Sequence, residues 1–360
     1  MISLKPIFIF KYLKLKRNEK PERTGRTFYL SWEDALWDVV EKKKVKKGSL
    51  ILVPEFFCGD VEVNIVKHGY KIAHYPVSKK LKTTSQELAD SLKKTKPSVL
   101  VILHCVGITN NLLIDTDWLS HVDKNIIVIE DCVHRIVDDR ELKFISKNHF
   151  IIDSLRKVVP LQGSVLYAQK DCFDFDEPPF YQSFSYAFGV TWLWMTMNFL
   201  WSMTHIFKWT KISVWFAGNA NKMMKKGYDL IGDSMLPARG FFLFGLIQRY
   251  LDIDKIKKIK KSQIEFYENG LKNLREKKIT LASYFQSDKK EMIGFPLVIS
   301  LGIADKTLEA IRKQGLLLDF ELNDSIWSKK QKIIYLPIGL HLSNDDIKRI
   351  SSIVRQAIDG

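Results

Sequence analysis

Short apolar runs alternate with amphipathic segments through the first half of this chain, and two of the runs end on reactive side chains. One is Val128-Ile129-Glu130-Asp131-Cys132-Val133-His134, and the other is Ile151-Ile152-Asp153-Ser154-Leu155-Arg156-Lys157. Such alternation restricts the chain to an α/β architecture with a mostly parallel, doubly wound sheet, whose ligand crevice lies outside the carboxyl ends of the strands. Strands are expected near 49–54, 71–76, 98–104, 126–131, 149–154 and 164–169. A first helix begins after Ser31, a suitable N-cap with Asp34 three residues on, and buries Ala35, Leu36, Val39 and Val40. Thr84 and Glu87 suit a capping box on a later helix. A long helix is expected over about 240–274. It leads into a smaller α+β unit with strands near 293–300 and 332–336 and helices near 305–314 and 344–358.

An amine at one strand end and a carboxylate at its neighbour's suit pyridoxal phosphate (PLP) chemistry. The amine holds the aldehyde as a Schiff base, and the carboxylate keeps the pyridine nitrogen protonated so that the ring draws electrons. Asp131 closes a strand of Ile126, Ile127, Val128 and Ile129. A carboxylate there is costly unless it meets a cation or several donors. Glu130 points to the opposite face by strand alternation and reads as structural.

These stretches resemble the fold-type-I PLP enzymes, and within them the DegT-type sugar aminotransferases. The resemblance extends to Val53-Pro54-Glu55-Phe56-Phe57-Cys58, to Leu103-His104-Cys105-Val106-Gly107, to Tyr335-Leu336-Pro337-Ile338 and to Leu342-Ser343-Asn344-Asp345-Asp346-Ile347. It runs in order over most of 25–358 and is weakest at 1–24 and 171–230. It implies an N-terminal arm at 1–24, a large cofactor domain at 25–238 and a small domain at 239–360. It also implies a homodimer whose sites lie between subunits, and transfer of an amino group from a donor such as glutamate to a nucleotide-linked keto-sugar.

The resemblance also distributes roles. Lys157 becomes the Schiff-base lysine and the proton carrier, followed by Pro160 and Gly163-Ser164, where the family has a second glycine. Asp131 faces the ring nitrogen. His134 lies beside the ring or packs as an ordinary core histidine, and His104 buttresses the site. Phe57, with Phe56 as alternative, stacks on the ring. The phosphate falls to Ser31, the Trp32 position, Ser154 and the charge of Arg156. Here the pattern departs: Trp32-Glu33 replaces a small, uncharged helix start, and the partner subunit's asparagine is not evident in Ile231-Gly232-Asp233-Ser234.

Composition agrees with a large enzyme. The 360 residues are 46% hydrophobic, enough for a substantial core. Cys58, Cys105, Cys132 and Cys172 show no metal or redox spacing, which points to reduced thiols in the cytoplasm and to no metal. The net charge of +15 is spread over lysine-rich helix faces without any nucleic-acid-binding signature. Residues 183–227 stand apart, with five of the nine tryptophans between Trp192 and Trp215 and lysines at 208, 211, 222, 225 and 226. Three readings stand for this insert: a helix seated peripherally on anionic lipid, one covering the active site or a dimer surface, and a membrane span, which Thr191, Thr196, Asn198, Ser202, Thr204 and His205 argue against. The altered helix start and the insert also motivate a second hypothesis for the whole chain, a degenerate relative serving as a binding or membrane-surface scaffold. A third retains PLP for dehydration or desulfuration.

Overall fold

The computed structural model describes residues 10–15, 23–176, 178, 183–207, 210–272, 274, 279–281, 289 and 291–359. A seven-stranded sheet has the order β1-β7-β6-β5-β4-β2-β3. Its members are β1 (Thr24–Tyr29), β2 (Leu50–Pro54), β3 (Lys71–Tyr75), β4 (Val99–Leu103), β5 (Ile127–Cys132), β6 (His149–Asp153) and β7 (Ser164–Gln169). Strands β3, β2, β4, β5 and β6 run parallel, while β7 is antiparallel to both of its neighbours. Every residue of β4 and of β6 is buried, as expected of strands covered on both faces. Helices α1 (Trp32–Lys42), α2 (Gly59–Lys67) and α3 (Ser85–Thr95) follow the first strands.

The local chemistry of the helix starts sets these positions. Ser31 caps α1 by accepting the Asp34 amide at 3.1 Å, and Thr84 with Glu87 forms the capping box on α3. Strand β5 pairs with β4 through Leu103 and Asp131, and with β6 through Asp131 and Ile152. That register brings Asp131 to the carboxyl edge of the sheet, where the chain leaving β6 carries Lys157.

Two antiparallel-packed helices, α4 (Phe184–Ile206) and α5 (Lys211–Asp233), occupy the insert. Ala187, Val190, Trp194, Met197 and Trp201 of α4 pack with Ala217, Ala220 and Ile231 of α5. Among the described residues, no helix is long and apolar enough to cross a membrane. The helix expected over 240–274 is broken into α6 (Phe242–Gln248) and α7 (Ile253–Leu271). The break has a local cause: Asp252 caps α7 through the Lys255 amide, and its own amide bonds the Tyr12 carbonyl at 2.8 Å. Beyond it lie the three-stranded sheet β8 (Ile279–Leu281), β9 (Phe295–Ile299) and β10 (Lys332–Leu336), with α8 (Leu301–Lys313) and α9 (Asn344–Asp359).

The small sheet's unit docks on the large one through Trp327. Its ring meets Phe56 edge-on at 5.3 Å, its amide bonds Glu55, and its indole N–H bonds Ser78. Gly163 closes the turn between Lys157 and β7 at φ +143°, and a Cβ there would overlap the Phe28 ring. The substitution Gly163→Ala is therefore expected to cost about 3 kcal/mol of stability, from backbone strain plus overpacking, measured by urea denaturation. A loss below about 1 kcal/mol would show that the turn relaxes freely.

Candidate active site

Lys157, at the end of a short 3-10 turn after β6, lines a cavity of about 470 Å³. Its other walls include Trp194 and Trp201 of α4, Tyr228 of α5, Arg156 and Glu321. This volume falls within the ordinary range for small-molecule sites. The Lys157 ammonium donates to Glu321 Oε1 at 2.9 Å, and His134 Nε2 donates to the same oxygen at 3.0 Å. Glu321 is held in place by its amide, which bonds the Ile333 carbonyl of β10 at 2.8 Å. Burial alone would raise the Glu321 carboxyl, but the Lys157 charge and the His134 hydrogen bond hold it well below the usual range. Burial likewise opposes a charge on Lys157, and Glu321 overrides it, so the ammonium is favoured and its pKa is raised.

Asp131 is buried beside this group without lining the cavity. Burial pushes its carboxyl up to about 7. The Val133 amide, donating at 3.0 Å, draws it back, Glu33 pushes it further up, and Lys157 and Trp32 draw it down. The Trp32 indole N–H leans toward that carboxyl without closing a hydrogen bond. His134 is fully buried and its pKa is lowered by burial. Its Nδ1 has no partner, and its ring meets Phe56 at 6.1 Å and Tyr335 at 5.9 Å. Phe57 instead packs edge-on against Trp32 at 6.1 Å.

The structure thus brings Lys157 and His134 together through Glu321, with Asp131 close enough to feel the lysine's charge. Ser31, Trp32, Phe57 and Ser154 do not line the cavity. The Ser31 hydroxyl is engaged by its own helix, donating to Asp34 Oδ2 at 2.6 Å. Ser154 faces a separate small pocket with Arg26, Arg135 and Asp139. Glu321 was not anticipated from the sequence. It lies outside every strand and helix expected in the small unit, and only the fold carries it to Lys157.

No family model matches this chain, and no curated protein does. Among solved structures, Spr1654 from Streptococcus pneumoniae, described as a sugar aminotransferase and captured in its PMP form, matches with a TM-score of 0.63 at 13% identity, covering 100% of this chain and 99% of that one. DesI, in the presence of its TDP-sugar product, matches at 0.59 and 12%, covering 92% and 80%. PseC from Helicobacter pylori, an aminotransferase of pseudoaminic acid biosynthesis, matches at 0.57 and 9%, covering 97% and 89%. The fold is that of the fold-type-I PLP aminotransferases. The mostly parallel seven-stranded sheet and the smaller unit after it bear out the fold class read from the sequence.

The shared oxygen of Glu321 yields a direct test. In Glu321→Gln the lysine loses the charge that raises its pKa. Acetic anhydride labelling of Lys157, followed by peptide mass spectrometry across pH, is expected to reach half-maximum about one pH unit lower or more. An unchanged midpoint would mean that Glu321 does not govern the amine.

Proposed function

We propose that this chain is a PLP-dependent aminotransferase that aminates a nucleotide-linked keto-sugar, using an amino acid such as glutamate as donor. The observation that supports this most is the Lys157 amine, set in a cavity at the carboxyl edge of a sheet whose fold matches a sugar aminotransferase over the whole chain. The TDP-sugar product of DesI and the pathway of PseC support a nucleotide sugar as acceptor. In this reading 25–238 carry the cofactor and 239–360 close over it, while most of the arm expected at 1–24 lies outside the described residues. The four free thiols suit a cytoplasmic enzyme of amino-sugar or surface-polysaccharide synthesis.

The residues fit PLP in three respects. Lys157 presents an amine to the cavity. Asp131, poised at about 7, would ionise against a ring N–H cation. The Arg156 guanidinium has two buried nitrogens without a partner. Bound there, PLP supplies an electron sink that eases removal of a proton from the carbon bearing the amine. Lys157 Nζ, once neutral, takes that proton and returns it on the far side of the transfer. Glu321, itself bonded by His134, would hold Nζ in place between those two tasks. Trp32, packed edge-on against Phe57, lies beside the buried Asp131.

Borohydride reduction of the PLP-treated protein, followed by peptide mapping, is expected to place the pyridoxyl label on Lys157 and to lose it in Lys157→Ala. A label scattered over surface lysines, or none, would sink the cofactor reading.

The resemblance to enzymes with sites between subunits supports a homodimer. The outward face of α4 carries Phe184, Phe188, Trp192, Met195, Phe199 and Ile206, all exposed, and Phe242 and Leu246 of α6 are exposed as well. So large an apolar surface is unusual on a monomer. Trp192→Asp combined with Phe199→Asp is expected to halve the mass found by sedimentation equilibrium. A dimer that persists, with binding to anionic vesicles lost, would assign the face to lipid and to the Lys211, Lys222, Lys225 and Lys226 charges instead.

A further inference from the structure

Arg156 precedes Lys157, and its guanidinium lies over two aromatic rings from the insert, 5.2 Å from Trp194 and 4.6 Å from Tyr228. All three side chains line the 470 Å³ cavity. Nε and Nη1 are buried and make no hydrogen bond, and the Trp194 indole N–H is likewise buried without an acceptor. Among the described residues no ion pair reaches Arg156, whereas Lys157 beside it has Glu321 and Arg312 across the cavity has Asp319. Arg156 is half-buried, and the Asp60 carboxylate feels its charge without reaching ion-pair distance, so its donor fork is open to another anion. Arginine's planar donor fork suits phosphate oxygens, and rings against its faces hold the fork in place.

The place where this fold would otherwise take a phosphate is closed. At the start of α1 the Asp34 amide is bonded by Ser31 Oγ, the Trp32 side chain is buried, and Glu33 adds a buried carboxylate oxygen without a partner. An anion brought there would meet the Glu33 charge as well as the helix dipole. The cavity by Arg156 offers the opposite balance, with Arg156, Lys157 and Arg312 against Glu321 and Asp319. Both carboxylates are already paired.

We propose that Arg156, braced by Trp194 and Tyr228, forms a phosphate subsite next to the Lys157 amine. This rests on the cavity being the active site and names its anion-binding residue. The same chemistry has two sources, the phosphate of the cofactor and the diphosphate of a nucleotide-linked substrate. Helices α4 and α5 supply the two rings.

The test uses the full chain, Arg156→Gln and Arg156→Lys, with two probes. The first is borohydride-trapped labelling of Lys157 by PLP and by pyridoxal, which lacks the phosphate. The second is binding of uridine diphosphate by calorimetry. If the subsite takes the cofactor's phosphate, Arg156→Gln weakens PLP labelling at least tenfold, leaves pyridoxal labelling unchanged, and Arg156→Lys recovers part of the loss. If it takes the substrate's, uridine diphosphate affinity falls at least tenfold while PLP labelling holds. Should PLP never label Lys157 in the wild type while uridine diphosphate binding still depends on Arg156, the cofactor reading fails and the subsite stands. Both probes remaining within twofold in an Arg156→Gln protein with unchanged circular dichroism and melting temperature would overturn the proposal. If Arg156→Gln does not fold, Arg156→Lys decides by the same thresholds.

Discussion

One carboxylate oxygen ties the two halves of the molecule together at the point where chemistry is expected. Glu321 Oε1 receives both the Lys157 ammonium and the His134 N–H, and Glu321 is pinned to β10 of the small sheet by its own backbone. Moving the small unit away from the large sheet would break the ion pair between the half-buried Lys157 and Glu321 side chains. The Trp327 docking contacts, six residues after Glu321, fix the same unit against the large sheet. A ligand that draws the amine away from Glu321 must replace that partner or supply another.

A second carboxylate plays a similar part inside the large sheet. Glu130 Oε1 lies 2.8 Å from His104 Nε2, and its other oxygen lies 3.2 Å from His149 Nε2. With Cys132 nearby, His104 and Glu130 form a cluster of metal-ligand types. The backbone argues for another role. The Asn110 amide donates to His104 Nδ1 and the Ile145 amide to His149 Nδ1, so each ring carries its proton on the nitrogen facing Glu130. A metal-bound histidine would instead donate from its outer nitrogen. The cluster joins β5 to β6 and to the residue after β4, one position before Asp131.

What could be read in the sequence follows from where the physics is local. Strands β2 to β7 and the Ser31 and Thr84 caps depend on runs of neighbours, and they lie within a residue or two of their expected places. Strand β1 has no such local mark, because its buried positions are Gly25, Thr27 and Tyr29, which carry no apolar alternation. The break between α6 and α7 depends on Tyr12, far away in the chain. The candidate site divides along the same line. Lys157, Asp131 and His134 stand at strand ends that periodicity exposes, whereas Glu321 and the rings around Arg156 arrive from distant segments with no local mark.

The start of α1 shows how one substitution pattern propagates. The Asp34 carboxyl is pushed up to about 8 by burial, and it takes hydrogen bonds from Ser31, the Ala238 amide and Tyr186 of α4. A protonated or heavily bonded Asp34 knits α1, α4 and the chain after α5 into one unit, with Trp32 sealing the space between Asp131 and Phe57. That unit excludes an anion from the helix start while fixing the base of the insert. Because the insert is anchored there, Trp194 and Tyr228 arrive at a defined height over Arg156. The residues that close one anion site are therefore the same ones that position the walls of the cavity beside Lys157.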